Sequence, residues 1–169
     1  MSLWWVFGFY LLERALEMLI AGRNRRWLLL TRGGREICSQ SYRGIVWLHT
    51  FFFLSLVVES APWRVPFDRF TLDCLIILGL LQVLRYWGVA SRGRFWSTHI
   101  IVLPGALPVR RGPYRFIKYP NDLVVTLEFI TIPLLMRSPL TLLFFTLVNL
   151  AVVRQRIRLQ EWGPREHMA

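Results

Sequence analysis

Five apolar segments, separated by short polar connections, limit the folds open to this chain more than any other feature. The segments are residues 3–21, 45–60, 70–90, 123–136 and 139–153. A helix needs about 20 apolar residues to cross a bilayer, and the first and third segments reach that length. Hydrophobic residues make up 54% of the sequence, and soluble domains rarely hold so many in such long blocks. The pattern predicts an all-α integral membrane bundle of five transmembrane helices.

The last two segments are separated only by Arg137 and Ser138. Ser138 suits a helix N-cap and Pro139 suits the first helical turn, so we predict a tight helical hairpin. The hairpin either crosses the bilayer twice or dips in and returns. A chain of 169 residues fits one integral-membrane domain, residues 1–169. Upstream, the stretch "HIIVL" (99–103) predicts a strand or helix that lies on the protein at the membrane interface.

Cationic residues are distributed unevenly between the connections. Lys and Arg number 21 against 10 Asp and Glu. Connections 22–44 and 91–121 and the tail after residue 153 hold six, six and four cations, whereas the opposite side holds Arg64, Arg69 and Arg137. The positive-inside rule then predicts an outside N-terminus and a cytoplasmic C-terminus in a bacterial cytoplasmic membrane, with anionic membrane lipids as partners. Nucleic acid is not expected as a partner, because DNA-binding proteins do not also carry several spanning-length apolar segments.

The cysteines and histidines show no spacing typical of a metal site. Cys38 lies in a basic connection, Cys74 lies in an apolar segment, and the three histidines are scattered. We therefore predict neither a disulfide nor a structural metal ion.

Charged residues within the apolar segments are costly in a membrane and so require an explanation. Glu13, Arg14 and Glu17 lie within one helical turn, and Arg14 and Glu17 are spaced to pair at i,i+3. We predict that they form an internal ion pair that packs the first helix.

Two further charged residues lie in the third and fourth segments. Arg85 shares a helix face with Gln82 and Tyr86, and it either snorkels to a lipid phosphate or reaches an anionic ligand. Glu128 lies about two turns into the fourth helix and faces either the bundle or a cavity. A carboxylate at that depth favours a functional role.

The connection "RGPYRFIKYPND" (111–122) crowds cationic, aromatic and proline residues into one short stretch. Asn121 suits the N-cap of the fourth helix, whose positive end then faces the cytoplasm beside Arg115 and Lys118. Such a place suits a carboxylate or phosphate, and acidic residues of the fourth helix and the tail supply negative charge nearby. A ligand that is anionic at one end and cationic at another, such as S-adenosylmethionine, fits this arrangement. The alternative is that the two cations only hold lipid phosphates.

Two stretches resemble the signature of a known family. "GPYRFIKYPNDLVVTLEF" (112–129) resembles the "GPYR-x-x-RHP-x-Y" motif of the isoprenylcysteine carboxyl methyltransferase family of integral-membrane enzymes, and "RIRLQE" (156–161) resembles its "RI-x-x-EE" tail. The stretches "LRYWGVASRGRFWSTHIIVLPGALPV" and "ERALEMLIAGRN" are similar to the small bacterial branch. Members of that branch are thought to O-methylate long-chain alkylpyrones and phenolic lipids.

The resemblance implies an S-adenosylmethionine-dependent O-methyltransferase that acts on a lipophilic small molecule, the hydroxyl of a phenolic lipid or alkylpyrone. The tail is expected to close over the cofactor at Arg156 and Glu161. The resemblance implies that the cofactor is bound by Tyr114, Arg115, Tyr119, Pro120 and Asn121, and the positive charge of Lys118 beside the start of the fourth helix adds that residue to the site. The alternatives are an isoprenylcysteine-type carboxyl O-methyltransferase and a catalytically silent membrane protein that binds lipid or cofactor.

Three positions depart from the family pattern. Lys118, Tyr119 and Pro120 replace Arg-His-Pro, Asp122 stands where tyrosine is usual, and Gln160 replaces the first Glu of the tail. Loss of the histidine either weakens the cofactor contacts or is made up by the hydroxyl and ring of Tyr119.

Methyl transfer requires an acceptor oxygen in line with the methyl group and a site that excludes water. A carboxylate or acidic enol arrives ionised, whereas a phenol needs a base, for which Glu128 and Glu161 are the candidates. Arg156 is expected to face the ionised oxygen. Because Arg156 and Glu161 lie about 140° apart on an ideal helix, we predict a break near Leu159–Gln160, with Gly163-Pro164 ending the segment.

Overall fold

Five long helices account for most of the computed structural model, which describes residues 4–37, 39–60, 65–103 and 110–166. The helices are α1 (Trp4–Thr31), α2 (Ser39–Glu59), α3 (Arg69–Arg92), α4 (Pro120–Leu135) and α5 (Pro139–Glu166). Two short 3-10 turns, Gly93–Phe95 and Gly112–Arg115, follow α3 and precede α4. The helices confirm the all-α prediction.

Three helices in the described part of the chain are long and apolar enough to cross a membrane. α4 has 16 residues, whereas a helix needs about 20 to cross a bilayer perpendicularly. α1 carries Glu13, Arg14 and Glu17 within its apolar stretch. The three stretches that are long and apolar enough to cross are Tyr42–Glu59, Arg69–Phe95 and Pro139–Glu161. Five complete crossings therefore remain a prediction.

The bundle has many polar side chains inside and many large apolar side chains outside. On α1, Trp5, Leu12 and Leu19 are 58%, 61% and 70% exposed, whereas Glu13 is 4% exposed. In water both features would be unfavourable. In lipid an outward apolar surface is the favourable one, and charges that face inward can pair with one another. This distribution indicates that hydrocarbon surrounds the helices.

An aromatic core joins α2, α4 and α5. The ring of Phe52 is stacked on that of Phe129, with centroids 4.2 Å apart, and Phe145 meets Phe52 edge-on at 5.7 Å. Leu56 and Val124 in the same cluster are at most 1% exposed. Because aromatic pairs contribute about 0.5–1.5 kcal/mol beyond the area they bury, this core fixes the three helices side by side.

The turn between α4 and α5 forms the predicted hairpin, with Pro139 as the first residue of α5. Ser138 stands in the predicted N-cap position, where its carbonyl accepts from the N–H of Leu142 at 3.0 Å, but its hydroxyl donates to the carbonyl of Met136 and does not cap the helix. The carboxylate of Glu59, at the end of α2, instead accepts hydrogen bonds from the N–H groups of Leu140 and Thr141 at 2.8 and 2.7 Å. The hairpin is thus tied to α2.

The cationic connections gather at one end of the bundle, which we call the motif end. Asn24, near the end of α1, donates to the carbonyl of Trp96, beyond α3, at 2.8 Å. β1 (Arg35–Glu36) and β2 (Ile101–Val102) form a short antiparallel ladder there. This ladder confirms the strand alternative for "HIIVL". The start of α4 and the end of α5 also reach the motif end, through contacts described below.

α5 runs without a break from Pro139 to Glu166, so the predicted break near Leu159–Gln160 and the predicted end at Gly163-Pro164 are both wrong. The residues between Arg156 and Glu161 have good helix propensity, and none of them interrupts the backbone hydrogen bonds. The two tail residues therefore point about 140° apart and meet different partners.

Candidate active site

The motif "GPYR" (112–115) forms a turn that is pressed against α3. Gly112 has φ +57°, and a Cβ there would lie 1.9 Å from the Oγ of Ser91, so the turn requires glycine. The guanidinium of Arg92 lies 4.5 Å from the ring centroid of Tyr114. Burial raises the pKa of Tyr114 above its ordinary value, although Arg92 acts in the opposite direction. The turn thereby fixes Tyr114 against α3.

The N-terminus of α4 lies directly after this turn. The helix begins at Pro120 with Tyr119 in the N-cap position, and no side chain caps it. Asn121 is therefore not the N-cap that the sequence predicted. Proline has no N–H and a fixed φ that suits the first helical position, so the helix starts two residues earlier. The first-turn N–H groups stay without a side-chain cap at the positive end of α4.

The tail meets the motif as predicted, through Glu161 of α5. Its Oε1 lies 2.5 Å from the Nζ of Lys118, and the Tyr119 hydroxyl donates to the same oxygen at 3.3 Å. The hydrogen bond to Glu161 raises the pKa of Lys118 above its ordinary value. Arg115 is exposed and forms no ion pair with the described residues, so its charge is available to an anion. Cations and a carboxylate thus lie side by side on an accessible surface.

Arg156, one turn before Glu161, points to the other side of the tail. Its Nε lies 3.3 Å from the Oδ1 of Asp122, and its Nη2 donates to the Thr98 carbonyl at 2.9 Å. Burial raises the pKa of Asp122, against the effects of Arg156 and Arg92. Sequence reasoning noted Asp122 only as a departure from the family pattern. The pairing depends on a contact between two helices, which residue spacing does not reveal.

A second group of residues missed by sequence reasoning borders this site. His99 lies 2.7 Å from Glu36 through its Nδ1, and its ring is stacked on Tyr42 with centroids 3.9 Å apart. Arg25 of α1 also pairs with Glu36, at 2.5 Å. Burial alone would raise the pKa of Glu36, but hydrogen bonds from Arg25 and His99 lower it below its ordinary value. These contacts hold the strand ladder beside Thr98 and Arg156.

Glu128 belongs to a different group of side chains. It lies six residues after Asp122 on α4, which places it about 9 Å further along the helix and about 120° around it. There it joins what we call the ion cluster, which consists of Glu13, Arg14, Glu17, Arg85 and Glu128. Of the three predicted catalytic residues, the structure brings Arg156 and Glu161 to the motif and places Glu128 in the ion cluster.

The ion cluster confirms one prediction and corrects another. Arg14 and Glu17 pair at 2.9 Å, as their i,i+3 spacing predicted. Arg85 neither snorkels to lipid nor faces an open ligand site, because it is 2% exposed and bonded to Glu17 and Glu128. Carboxylates from α1 and α4 converge on it, and Arg85 lies too deep to reach lipid phosphate.

An apolar groove of about 890 Å³ lies between α2 and α5. Its lining runs from Glu59 and Leu140 at one end to Gly44 and Val152 at the other. Val152 lies one helical turn before Arg156, so the groove leads toward the buried guanidinium. No group of three or more His, Cys, Asp or Glu side chains in the described ranges is placed to hold a metal ion.

The outward apolar surface and the polar motif end define an α-helical membrane protein with a candidate ligand site at one end of its bundle. Residues 74–162 match the isoprenylcysteine carboxyl methyltransferase (ICMT) family. A curated relative, the "Uncharacterized protein YpbQ" of Bacillus subtilis (strain 168), is 32% identical over 164 residues, which cover 97% of each chain. No solved structure matches the chain. The chain belongs to the ICMT family of membrane methyltransferases, which confirms the resemblance seen in its motifs.

Proposed function

We propose that this protein is an S-adenosylmethionine-dependent O-methyltransferase whose acceptor is the hydroxyl of a phenolic lipid or alkylpyrone. Family membership supports methyl transfer in a membrane, and ICMT methyltransferases use S-adenosylmethionine as a general rule. The finer assignment of cofactor site and acceptor rests on the geometry of the motif end.

The motif end suits a ligand that carries charges of both signs. The α4 N-terminus, without a side-chain cap, and Arg115, which pairs with no acidic side chain in the described part of the chain, suit a carboxylate. Glu161 suits an ammonium or ribose hydroxyl, and its exposed pairing with Lys118 can open to admit one. The walls of the site would be formed by Tyr114, Lys118, Tyr119, Pro120 and Asn121. When bound, S-adenosylmethionine supplies an electrophilic methyl group.

The acceptor would enter from the bilayer and lay its alkyl chain in the groove between α2 and α5. The groove lining is almost wholly apolar, which suits an alkyl chain and not a polar head. Arg156 lies one helical turn beyond Val152 of the groove, and its Nε faces Asp122 at 3.3 Å without a hydrogen bond. We infer that the guanidinium also stabilises a negative charge on the acceptor oxygen. Asp122 orients the guanidinium, which suits an acceptor oxygen that arrives already ionised, such as the acidic enol of an alkylpyrone.

The observation that carries this proposal is the contact of one tail helix with both the segment before α4, through Glu161, and α4 itself, through Arg156. It brings the ligand charges to the same end of α5 as Arg156, one helical turn beyond the groove residue Val152. The test is incubation of the purified full-length protein in detergent with methyl-labelled S-adenosylmethionine and a total lipid extract, followed by mass spectrometry. We expect one labelled methyl on an oxygen of a long-chain lipid, and greatly reduced labelling with Arg156→Gln. Cofactor binding without transfer to any lipid would instead support a silent binding protein.

We also propose that the motif end faces the cytoplasm, where S-adenosylmethionine is made. The cationic residues concentrated there support this orientation through the positive-inside rule. A reporter fused after Ala169 should be active only on the cytoplasmic side. Activity confined to the outer side would reverse the orientation.

A further inference from the structure

The ring of Trp27, near the end of α1, is contacted by two arginine side chains. The guanidinium carbon of Arg32 lies 5.2 Å from the ring centroid, and that of Arg94 lies 5.0 Å from it. The two positive charges are therefore within about 10 Å of each other, although like charges repel. An aromatic ring attracts an exposed cation by only about 0.5–1 kcal/mol, so the ring holds both guanidiniums in place without neutralising either.

The turn after α3 brings Arg94 to this ring. Gly93 has φ +52° and begins the 3-10 turn that contains Arg94. Asn24, one helical turn before Trp27, is 5% exposed and donates to the carbonyl of Trp96 at 2.8 Å. This buried hydrogen bond fixes the turn against α1. The meeting of Arg94 with Trp27 is therefore built into the backbone of the fold.

The two arginines have no counter-charge in the described part of the chain. Both are exposed, and neither makes an ion pair or a hydrogen bond to a described side chain. The acidic side chains described at the motif end already have partners: Glu36 pairs with Arg25 and His99, Asp122 with Arg156, and Glu161 with Lys118. An external anion would therefore find two cations already held close together.

The outward face of α1 connects this place with the hydrocarbon. Leu12 and Leu16 are 61% and 50% exposed, and Leu16 lies eleven residues before Trp27, which is about three turns and the same helix face. Leu30, about one turn beyond Trp27, is 86% exposed. Tryptophan is enriched at the level of the lipid headgroups, and arginine side chains extend to that level. An anion that arrives here beside an apolar surface belongs to an amphiphile.

We propose that Trp27, Arg32 and Arg94 form a binding site for one anionic phospholipid of the leaflet at the motif end. The two guanidiniums bind the phosphodiester, and the acyl chains lie along the outward leucines of α1. Phosphatidylglycerol fits, because its headgroup carries no cation of its own. The ammonium group of a zwitterionic lipid would be repelled by the two arginines. The site shares no residue with the proposed cofactor and acceptor sites, so it does not depend on methyl transfer.

Native mass spectrometry of the full-length protein released from detergent tests this proposal, because it counts the lipids that stay bound. We expect the wild type to bind one phosphatidylglycerol about tenfold or more tightly than phosphatidylcholine. Arg32→Gln/Arg94→Gln should abolish this preference. The matched control Arg43→Gln/Arg154→Gln removes two exposed charges from the same end of the bundle and should keep it, because neither of these arginines lies over a ring in the described ranges.

Variants of Trp27 test whether the ring positions the two arginines. Trp27→Phe keeps an aromatic face and should retain most of the preference, whereas Trp27→Leu should reduce it about threefold or more. Equal binding of the two lipids by the wild type would overturn the proposal, and this measurement does not depend on any variant folding. An equal loss in the Arg43→Gln/Arg154→Gln control would also overturn it, because general charge would then explain the binding.

A competition arm separates a lipid headgroup from a free anion. Inorganic phosphate at millimolar concentration should not displace phosphatidylglycerol from the wild type, because it lacks the acyl chains that lie along α1. Displacement by inorganic phosphate would assign the two arginines to a soluble anion and overturn the lipid assignment.

Discussion

Asp122 of α4 and Arg156 of α5 form a buried ion pair, with the two side chains 11% and 10% exposed. Asp122→Asn would leave the Arg156 guanidinium buried without its counter-charge. Breaking a buried pair in this way costs about 3–5 kcal/mol, so we expect a loss of stability in that range in unfolding titrations from mixed micelles. The double variant Asp122→Asn/Arg156→Gln should recover part of the loss. Strictly additive effects would mean that the pair has no coupling energy.

Glu161 should matter for cofactor binding much more than for folding. Its pair with Lys118 is exposed, and such pairs contribute about 0–1 kcal/mol to stability. A hydrogen bond to a charged ligand group contributes about 1.5–3 kcal/mol. Glu161→Gln should therefore weaken S-adenosylmethionine binding about tenfold or more in calorimetry, with little change in thermal unfolding. Asp68→Asn removes the exposed ion pair with Arg137 at the opposite end of the bundle. It should leave both the S-adenosylmethionine affinity and the thermal unfolding nearly unchanged. An unchanged affinity in Glu161→Gln would remove Glu161 from the cofactor site.

Gly112→Ala should displace the motif turn from α3. The added Cβ would overlap Ser91, and φ +57° is unfavourable for alanine. Gly93 also has positive φ, +52°, but nothing lies within 4 Å of a Cβ there. Gly93→Ala therefore carries the backbone strain alone, about 1–3 kcal/mol. We expect cofactor binding to be lost in Gly112→Ala and kept in Gly93→Ala. Equal effects would show that strain, and not the close approach to α3, is responsible.

Arg85→Met should be strongly destabilising, because it leaves two buried carboxylates without their main donor. The expected loss is about 3–5 kcal/mol, measured by thermal or denaturant unfolding in detergent. Arg69→Met, at the exposed start of the same helix, is the matched control and should change stability by less than about 0.5 kcal/mol. A stable Arg85→Met variant would mean that the ion cluster contributes little to helix packing.

Acid should loosen the strand ladder through Glu36. Its pKa is lowered in the folded protein, despite partial burial, by hydrogen bonds from Arg25 and His99. The contribution of Glu36 to stability is therefore full above the ordinary pKa of glutamate, and it is lost as pH falls through the lowered value. The amide of Ile37, which donates to the Ile100 carbonyl at 2.9 Å, should lose hydrogen-exchange protection over that acidic range. Glu36→Gln should remove this pH dependence, and a persistent dependence would point to another group.

Local patterns in the sequence predicted the local features of the structure. Helix positions follow from apolar length, and the contact between Arg14 and Glu17 follows from i,i+3 spacing. The partners of Arg85 could not be predicted, because they come from α1 and α4, which lie far away in the chain. The pairing of Asp122 with Arg156 escaped prediction for the same reason. The start of α4 was misplaced by two residues, because Pro120 fits the first helical position better than Asn121 fits the cap.

The inward charges of α1 set an order for biogenesis. While the ribosome is still producing the later segments, the first helix exposes Glu13, Arg14 and Glu17 to lipid, and Arg85 and Glu128 do not yet exist. Such a helix is costly to leave alone in hydrocarbon. We therefore expect α1 to settle in its final place only after α3 and α4 have been synthesised, and to be held until then by the insertion machinery. Nascent chains arrested before residue 128 should accordingly stay crosslinked to that machinery through α1. Release of the arrested chains into lipid would show that α1 inserts unaided.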